Sequence, residues 1–173
     1  IGFAVLKNKE FIVEKSMDNL DEMWKKYQEA INGHEKQLKA IWHFRIATHG
    51  EKSVLNCHPF LLDNKEYVFA HNGVISSNCD INSKESDTLL FKNVILDKIS
   101  GKFHTNSAIV KLIRAYIGSY SKLAFLNKDG EMFIMGEDAG EWDKDVWYSN
   151  TSYKPPVATT IHHHDSTFSR TPW

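Results

Sequence analysis

The sequence predicts an α+β fold in which mostly antiparallel β-sheets are covered by helices. Short β-prone segments are bounded by turn residues, amphipathic segments have helical periodicity, and their order is strands, helix, strands, two helices, strands. The 173 residues are enough for one domain with a sizeable core. We expect this domain to cover residues 1–153 and an irregular tail, rich in Pro, Thr and His, to cover residues 154–173.

The N-terminal part predicts a hairpin followed by a helix. Residues 2–6 and 11–14 are β-prone runs on either side of KNKE. The helix that follows has Ser16 or Asp18 as its expected N-cap, and Gly33 can end it. Its apolar stripe consists of Leu20, Met23, Trp24, Tyr27 and Ile31.

The middle of the chain predicts two strands and a second helix. Residues 40–47 (AIWHFRIA) and 67–71 (YVFAH) are strand-like and are separated by a polar loop. Ser86 can cap a helix over residues 86–99, with Asp87 in its first turn.

The remaining segments predict one more helix and two further β elements. Residues 106–117 have the apolar spacing of a helix. Alternating apolar runs flank NKDG at 127–130, which is the clearest hairpin signal in the chain. Residues 145–150 (DVWYSN) read as a strand, and a short strand near Val157 is an option.

Composition excludes several classes of function. The net charge of −1 and the lack of a basic run argue against a nucleic-acid partner. No apolar segment is long enough to cross a bilayer, and there is no signal-peptide pattern. Cys57 and Cys79 do not make a disulfide framework, so we expect a reducing, cytoplasmic setting.

The chain starts IGFAVLKN, without Met and already in a strand pattern. We therefore expect it to be the remainder of a longer protein: a cleaved product, a truncated chain or its ordered part.

Arg45 is the first candidate binding residue. In the expected strand it shares a face with His43 and Ala47, because side chains alternate along a strand. A buried guanidinium needs an anionic partner, and a carboxylate fits it with two hydrogen bonds. The partner can be an Asp or Glu of the protein or the carboxylate of a substrate.

Asn72, Gly73 and Asp87 are the other candidates. Asn-Gly at the end of a strand is typical of a turn, but a side-chain amide beside a glycine N–H can also form an oxyanion hole. Asp87 can be a first-turn acid favoured by the helix dipole, or it can bind an ammonium group. With Arg45 on a carboxylate and Asp87 on an amine, the set fits glutamine or a similar amide.

The four motifs HFRIATHG, NCHPF, AHNGVI and SDT, in this order, resemble the glutaminase domain of class II glutamine amidotransferases. The resemblance is greatest to small stand-alone members encoded by bacteriophages and runs from Ile1 to about Tyr153. It implies the αββα sandwich of N-terminal-nucleophile hydrolases, no cofactor, and location in the host cytoplasm or the virion. Glutamine would be the substrate, and an acceptor enzyme would receive the ammonia.

The resemblance also implies a role for individual residues. Arg45 would hold the glutamine α-carboxylate, with Thr48 and His49 lining that end of the site. Asp87 would bind the α-amino group. Asn72 and Gly73 would form the oxyanion hole. His58 and His71 would support the site. For His58 and His71, a purely structural role as buried histidines is an equal alternative.

The nucleophile of such an enzyme is an N-terminal Cys, whereas residue 1 is Ile. Cys57 is a weak substitute because its neighbour His58 points the opposite way on an extended segment. Cys79 has less support still. We therefore expect the Cys upstream of this chain and no glutaminase activity in the chain as given. The alternative is a catalytically inactive structural or interaction protein, for example a virion component, on the same fold.

Histidine-rich segments raise the further option of a metal-dependent amidohydrolase. The spacing in IHHHD (161–165) matches no standard zinc pattern, and no HExxH-type helix is present. No metal site is therefore expected.

Overall fold

The computed structural model describes residues 1–33, 38–46, 50–78 and 82–154. Its helices are α1 (Leu20–Ile31), α2 (Asp87–Val94) and α3 (Ser107–Ile117). Each begins after a side chain that accepts a hydrogen bond from a backbone N–H of the first turn: Asn19, Ser86 and Asn106, respectively.

The first sheet is antiparallel and has three strands. Its central strand is β1 (Gly2–Lys7), with β2 (Glu10–Lys15) on one side and β3 (Ala40–His43) on the other. The predicted N-terminal hairpin is the β1–β2 pair.

The second sheet is antiparallel and has four strands. Their order is β4 (Phe60–Leu61), β5 (Tyr67–Asn72), β6 (Lys122–Asn127) and β7 (Met132–Met135). The predicted hairpin at 127–130 joins β6 to β7. A separate small hairpin follows, made of β8 (Glu141–Asp143) and β9 (Val146–Tyr148).

Three apolar clusters show how these elements are layered. One lies between α1 and the first sheet and contains Phe3, Val5 and Met23. A second, with Ala4, Ile41, Val68, Ala70 and Leu126, fills the space between the two sheets. The largest packs the second sheet against α2 and α3, with Phe69, Phe91, Ile113, Leu123 and Phe125 in its centre. The order of layers is therefore αββα, as predicted.

Three predicted boundaries were wrong. The strand at 40–47 ends at His43, because β3 pairs only with β1 and that register ends at the Gly2–His43 pair. Phe44 and Ile46 are then 60% and 88% exposed. The cap of α1 is Asn19, not Ser16 or Asp18. The α-helix predicted to reach residue 99 ends at Val94 and continues as a 3-10 turn, Leu96–Lys98.

A buried cation holds the end of α2 to the loop before β5. The Lys92 Nζ atom lies 2.6 Å from Asp97 and 2.8 Å from Asp63. The Asp97 side chain is almost fully buried. Loss of Lys92 would leave the buried Asp97 carboxylate unpaired, which is costly, so we expect its removal to destabilise the protein.

Candidate functional site

Three histidines from different parts of the sequence meet at one end of the two sheets. His43 is the last residue of β3, and His71 is the next-to-last residue of β5. His58 lies between these two strands along the chain. The Nδ1 atom of His58 is 3.3 Å from Nε2 of His43 and accepts the backbone N–H of His71 at 3.4 Å. Because that Nδ1 accepts, it carries no hydrogen, so the His43 Nε2–H donates to it.

Burial keeps these histidines neutral. It lowers the pKa of both His43 and His71 to about 4, and it lowers the pKa of His58 well below the ordinary value of 6.5. The positive charges of Arg45 and Lys15 lower the His58 pKa further, while the Asp87 carboxylate opposes the effect at His71. Three of their ring nitrogens, His43 Nδ1, His58 Nε2 and His71 Nε2, are buried without a hydrogen-bond partner among the described residues.

We predict that the protein loses stability in mild acid for this reason. A histidine with a lowered folded-state pKa binds its proton preferentially in the unfolded chain, so stability is complete above pH 6.5 and falls as the pH drops toward 4. Each such histidine contributes a slope of about 1.4 kcal/mol per pH unit. Urea unfolding followed by tryptophan fluorescence between pH 7.5 and 4.5 measures it.

The substitution His43→Gln should remove one titrating group and flatten the slope by about 1.4 kcal/mol per pH unit. A free energy of unfolding that stays constant between pH 7 and pH 5 would contradict the assignment of these imidazoles as neutral.

Asn72 and Gly73 form a corner where β5 ends beside β6. Asn72 pairs with Lys122, and Gly73 then turns the chain with a φ of +140°. A Cβ atom on Gly73 would lie 2.7 Å from the Ser121 Oγ and 3.1 Å from the His71 Nε2. Only glycine therefore fits this corner without strain.

Asp87 is buried at the start of α2 and is already hydrogen-bonded. Its Oδ2 atom accepts the Ile75 N–H at 2.7 Å, and its Oδ1 atom accepts the Thr88 N–H at 2.8 Å. Asp87 thus ties the segment that follows the Asn72-Gly73 corner to α2. This contact was not predicted, because it depends on where the helix N-terminus lies in space.

Asn56 joins a second loop to the same helix start. Its side-chain N–H groups donate to the carbonyls of Glu51 and Lys84, and its Oδ1 atom accepts the Ser86 N–H at 2.8 Å. A Cβ on Gly50 would lie 2.7 Å from the Ser86 nitrogen. The segment from Gly50 to Asn56 therefore packs against residues 84–86, which directly precede Asp87.

Arg45 lies after β3 and is half-buried, rather than buried within a strand as predicted. Its charge acts on the pKa values of His43 and His58, which places it beside the histidine cluster. Asp87 acts on the His71 of the same cluster. The cationic and anionic candidates thus act on the same group of histidines.

Cys57 is buried and is not placed as a nucleophile. Its Sγ atom contacts the backbone carbonyls of Ser16 and Ser53, both at 3.7 Å. Lys15 lies nearby with its Nζ atom 4.3 Å from the centre of the Phe60 ring, and burial lowers its pKa to about 8. Sequence reasoning missed Lys15, because only the pairing of β2 with β1 turns it toward this end of the sheets.

Some predicted residues lie outside the described residues: Thr48, His49, Cys79 and the IHHHD segment. Among the residues that are described, no group of His, Cys, Asp and Glu is arranged to hold a metal ion, and no helix is long and apolar enough to span a membrane. A cleft of about 660 Å³ beside α3, lined by residues such as Arg114 and Trp142, contains none of the candidate site residues.

The described geometry joins the Asn72-Gly73 corner, Asp87 and the histidines in one region, and comparison with known proteins decides the family. The profile of the family described as glutamine amidotransferases class-II matches residues 22–135. The chain belongs to the class II glutamine amidotransferases. The match includes every candidate residue named for the site.

Similar curated proteins are glutamine–fructose-6-phosphate aminotransferases (isomerizing). The protein of Bacillus subtilis (strain 168) is 26% identical over 146 residues, which are 79% of this chain and 24% of that protein. The protein of Lactiplantibacillus plantarum is 30% identical over 125 residues, 68% of this chain and 20% of its own length. This amidotransferase chain therefore spans about a quarter of the length of the curated relatives it matches.

Proposed function

We propose that this amidotransferase domain releases ammonia from glutamine through a cysteine thioester and passes it to an acceptor enzyme or domain. The observation that carries the proposal is the joining of Asp87 to the Asn72-Gly73 corner. The Ile75 N–H donates to Asp87 only two residues beyond Gly73, so the proposed ammonium anchor and the proposed pair of oxyanion donors would belong to one wall.

The substrate would be held by opposite charges at its main-chain end. Arg45 would bind the α-carboxylate, with Thr48 and His49 lining that end, and Asp87 would bind the α-amino group. Among the described residues, the Asp87 side chain accepts hydrogen bonds from backbone and hydroxyl donors only, and a carboxylate has lone pairs for a further donor. Such charge-assisted contacts would select a free amino acid over a peptide.

The chemistry would take place at the side-chain amide. The cysteine sulfur attacks the amide carbon, and its proton passes through the α-amino group of that cysteine to the leaving nitrogen, which departs as ammonia. The negative oxygen formed in between is stabilised by the Asn72 amide and the Gly73 N–H. Water then hydrolyses the thioester to glutamate and restores the thiol. His58 and His71 would support the site as neutral groups.

The cysteine would come from outside these 173 residues, because Cys57 is buried against two backbone carbonyls. The named reaction of the curated relatives, transfer to fructose 6-phosphate, suggests a sugar phosphate as one acceptor class. The resemblance to phage-encoded members stays a prediction.

The first test is binding and turnover measured separately. We expect the 173-residue chain to bind L-glutamine in isothermal titration calorimetry but to release no ammonia above background. We expect the full-length protein to release ammonia and to lose this activity on alkylation of its N-terminal cysteine. A full-length protein that binds glutamine without turnover, or that lacks such a cysteine, would instead support the non-catalytic structural role.

Replacing Asp87 by alanine should weaken glutamine binding by about tenfold or more, since a hydrogen bond to a charged group contributes about 1.5–3 kcal/mol. Titration calorimetry measures the affinity, and thermal unfolding checks that the variant is folded. Asp138→Ala, at an exposed acid in the turn after β7, is the matched control and should bind normally. Equal affinities of the two variants would exclude Asp87 as the amine anchor.

A further inference from the structure

Thr88, for which the sequence predicted no role, connects two residues of the candidate site. Its Oγ1 atom lies 2.7 Å from Nδ1 of His71 and 3.3 Å from Oδ1 of Asp87. Thr88 is 2% exposed and His71 is 3% exposed, so these contacts are shielded from water. These contacts connect the start of α2, through the Thr88 hydroxyl, to the end of β5.

Counting donors and acceptors fixes the direction of these hydrogen bonds. A carboxylate only accepts, and a threonine hydroxyl has a single hydrogen to donate. Both contacts are hydrogen bonds at once only if the Thr88 hydroxyl donates to Asp87 and the same oxygen accepts from His71. In that arrangement the Nδ1 atom of His71 carries the ring hydrogen.

The other ring nitrogen of His71 faces the glycine corner. Within the part of the chain that the structure describes, the Nε2 atom is buried without a hydrogen-bond partner, and it lies 3.1 Å from the place that a Cβ of Gly73 would occupy. Ser121 borders the same place, and its Oγ atom donates to the Val74 carbonyl at 3.4 Å. The corner thus rests on the edge of the His71 ring, and the atom at that edge is either an N–H or a bare nitrogen.

We propose that Thr88 is a positioning residue that fixes His71 in its Nδ1–H tautomer, so that a bare Nε2 atom faces the Gly73 corner. In this state the hydrogen-bond chain that starts at Asp87 sets the orientation of the imidazole, and no ring hydrogen is directed at the tightly packed glycine. The opposite tautomer would place a hydrogen there and would leave two oxygens, of Thr88 and Asp87, without a hydrogen between them.

The inference rests on the proposed function and extends it, because it explains how the proposed ammonium anchor, Asp87, and the proposed oxyanion corner, Asn72-Gly73, keep fixed positions relative to each other. Its test uses no glutamine and no turnover, so it can fail while the proposed function holds, and the reverse. Two-bond ¹H–¹⁵N correlation spectra of the ¹⁵N-labelled 173-residue chain at pH 7.5 distinguish protonated from bare ring nitrogens. Comparison with His71→Asn assigns the His71 signals.

The expected result is a protonated Nδ1 and a bare Nε2 for His71 in the parent chain and in Thr88→Ser, which keeps the hydroxyl. Thr88→Val has nearly the same shape without it, and His71 should then shift toward the Nε2–H tautomer. The control Thr105→Val removes a hydroxyl that bonds only the Lys102 carbonyl at an exposed site, and it should leave the His71 signals unchanged.

A parent chain with hydrogen on Nε2 of His71 would overturn the proposal. So would an unchanged tautomer in Thr88→Val, or loss of the Nδ1–H form in Thr88→Ser. The spectra of the parent chain and of Thr88→Ser can still overturn the proposal even if Thr88→Val does not fold.

Discussion

Replacing Asn72 by alanine in the full-length protein should lower the turnover of glutamine by roughly 100-fold or more, with a smaller effect on its binding. The reason is that an oxyanion donor stabilises charge that develops only in the transition state. Asn72 lies at the end of β5, and its backbone is fixed by pairing with Lys122, so truncation of its side chain should leave the strand intact. Ammonia release under saturating glutamine measures the effect.

The control for this variant is Asn64→Ala, in the exposed turn before β5, where the side chain accepts only the Glu66 N–H. It should retain normal turnover. If Asn72→Ala changed affinity and turnover by the same factor, Asn72 would bind the ground state and the oxyanion role would be wrong.

Gly73→Ala should be the most damaging single substitution at the corner. Positive φ is strained for alanine, and the new methyl group would lie within 3 Å of both the Cα and Oγ atoms of Ser121. Backbone strain and overpacking each cost about 1–3 kcal/mol, so we expect a loss of about 2–6 kcal/mol in the free energy of unfolding. Urea unfolding of the 173-residue chain measures this without any assay of activity.

Gly101→Ala separates the two causes. Gly101 also has positive φ, +70°, but a Cβ there would have no neighbour within 4 Å. It should lose only the strain part, about 1–2 kcal/mol. Equal losses in both variants would show that the contact with Ser121 relaxes freely and that the corner is not tightly packed.

The fold was largely readable from the sequence because its signals are local. The apolar spacing of α1 and α3 and the turn residues at 127–130 depend on a few neighbouring residues. Boundaries were harder to predict. The segment 40–47 has strand-like composition throughout, yet β3 ends at His43, which pairs with Gly2 of β1. No local property of Phe44 or Arg45 reveals where that register ends.

Residue chemistry alone selected Arg45, Asn72, Gly73 and Asp87, because a guanidinium, an amide beside a glycine and a first-turn carboxylate have few roles in combination. Their order along the chain also pointed to the family that the comparison then showed. What remained open was whether Asp87 is only a first-turn acid favoured by the helix dipole or binds a ligand, since both roles need the same carboxylate.

Only the tertiary structure decided which groups surround these residues. It placed the half-buried His43 beside the buried His58 and His71 and thereby kept them neutral, it tied Asp87 to the segment after Gly73, and it placed Thr88 between His71 and Asp87. The sequence determined the types of chemical group and the elements that carry them. Protonation and hydrogen-bond direction depend on burial and on distances of about 3 Å between distant parts of the chain, and these arise only when the layers pack.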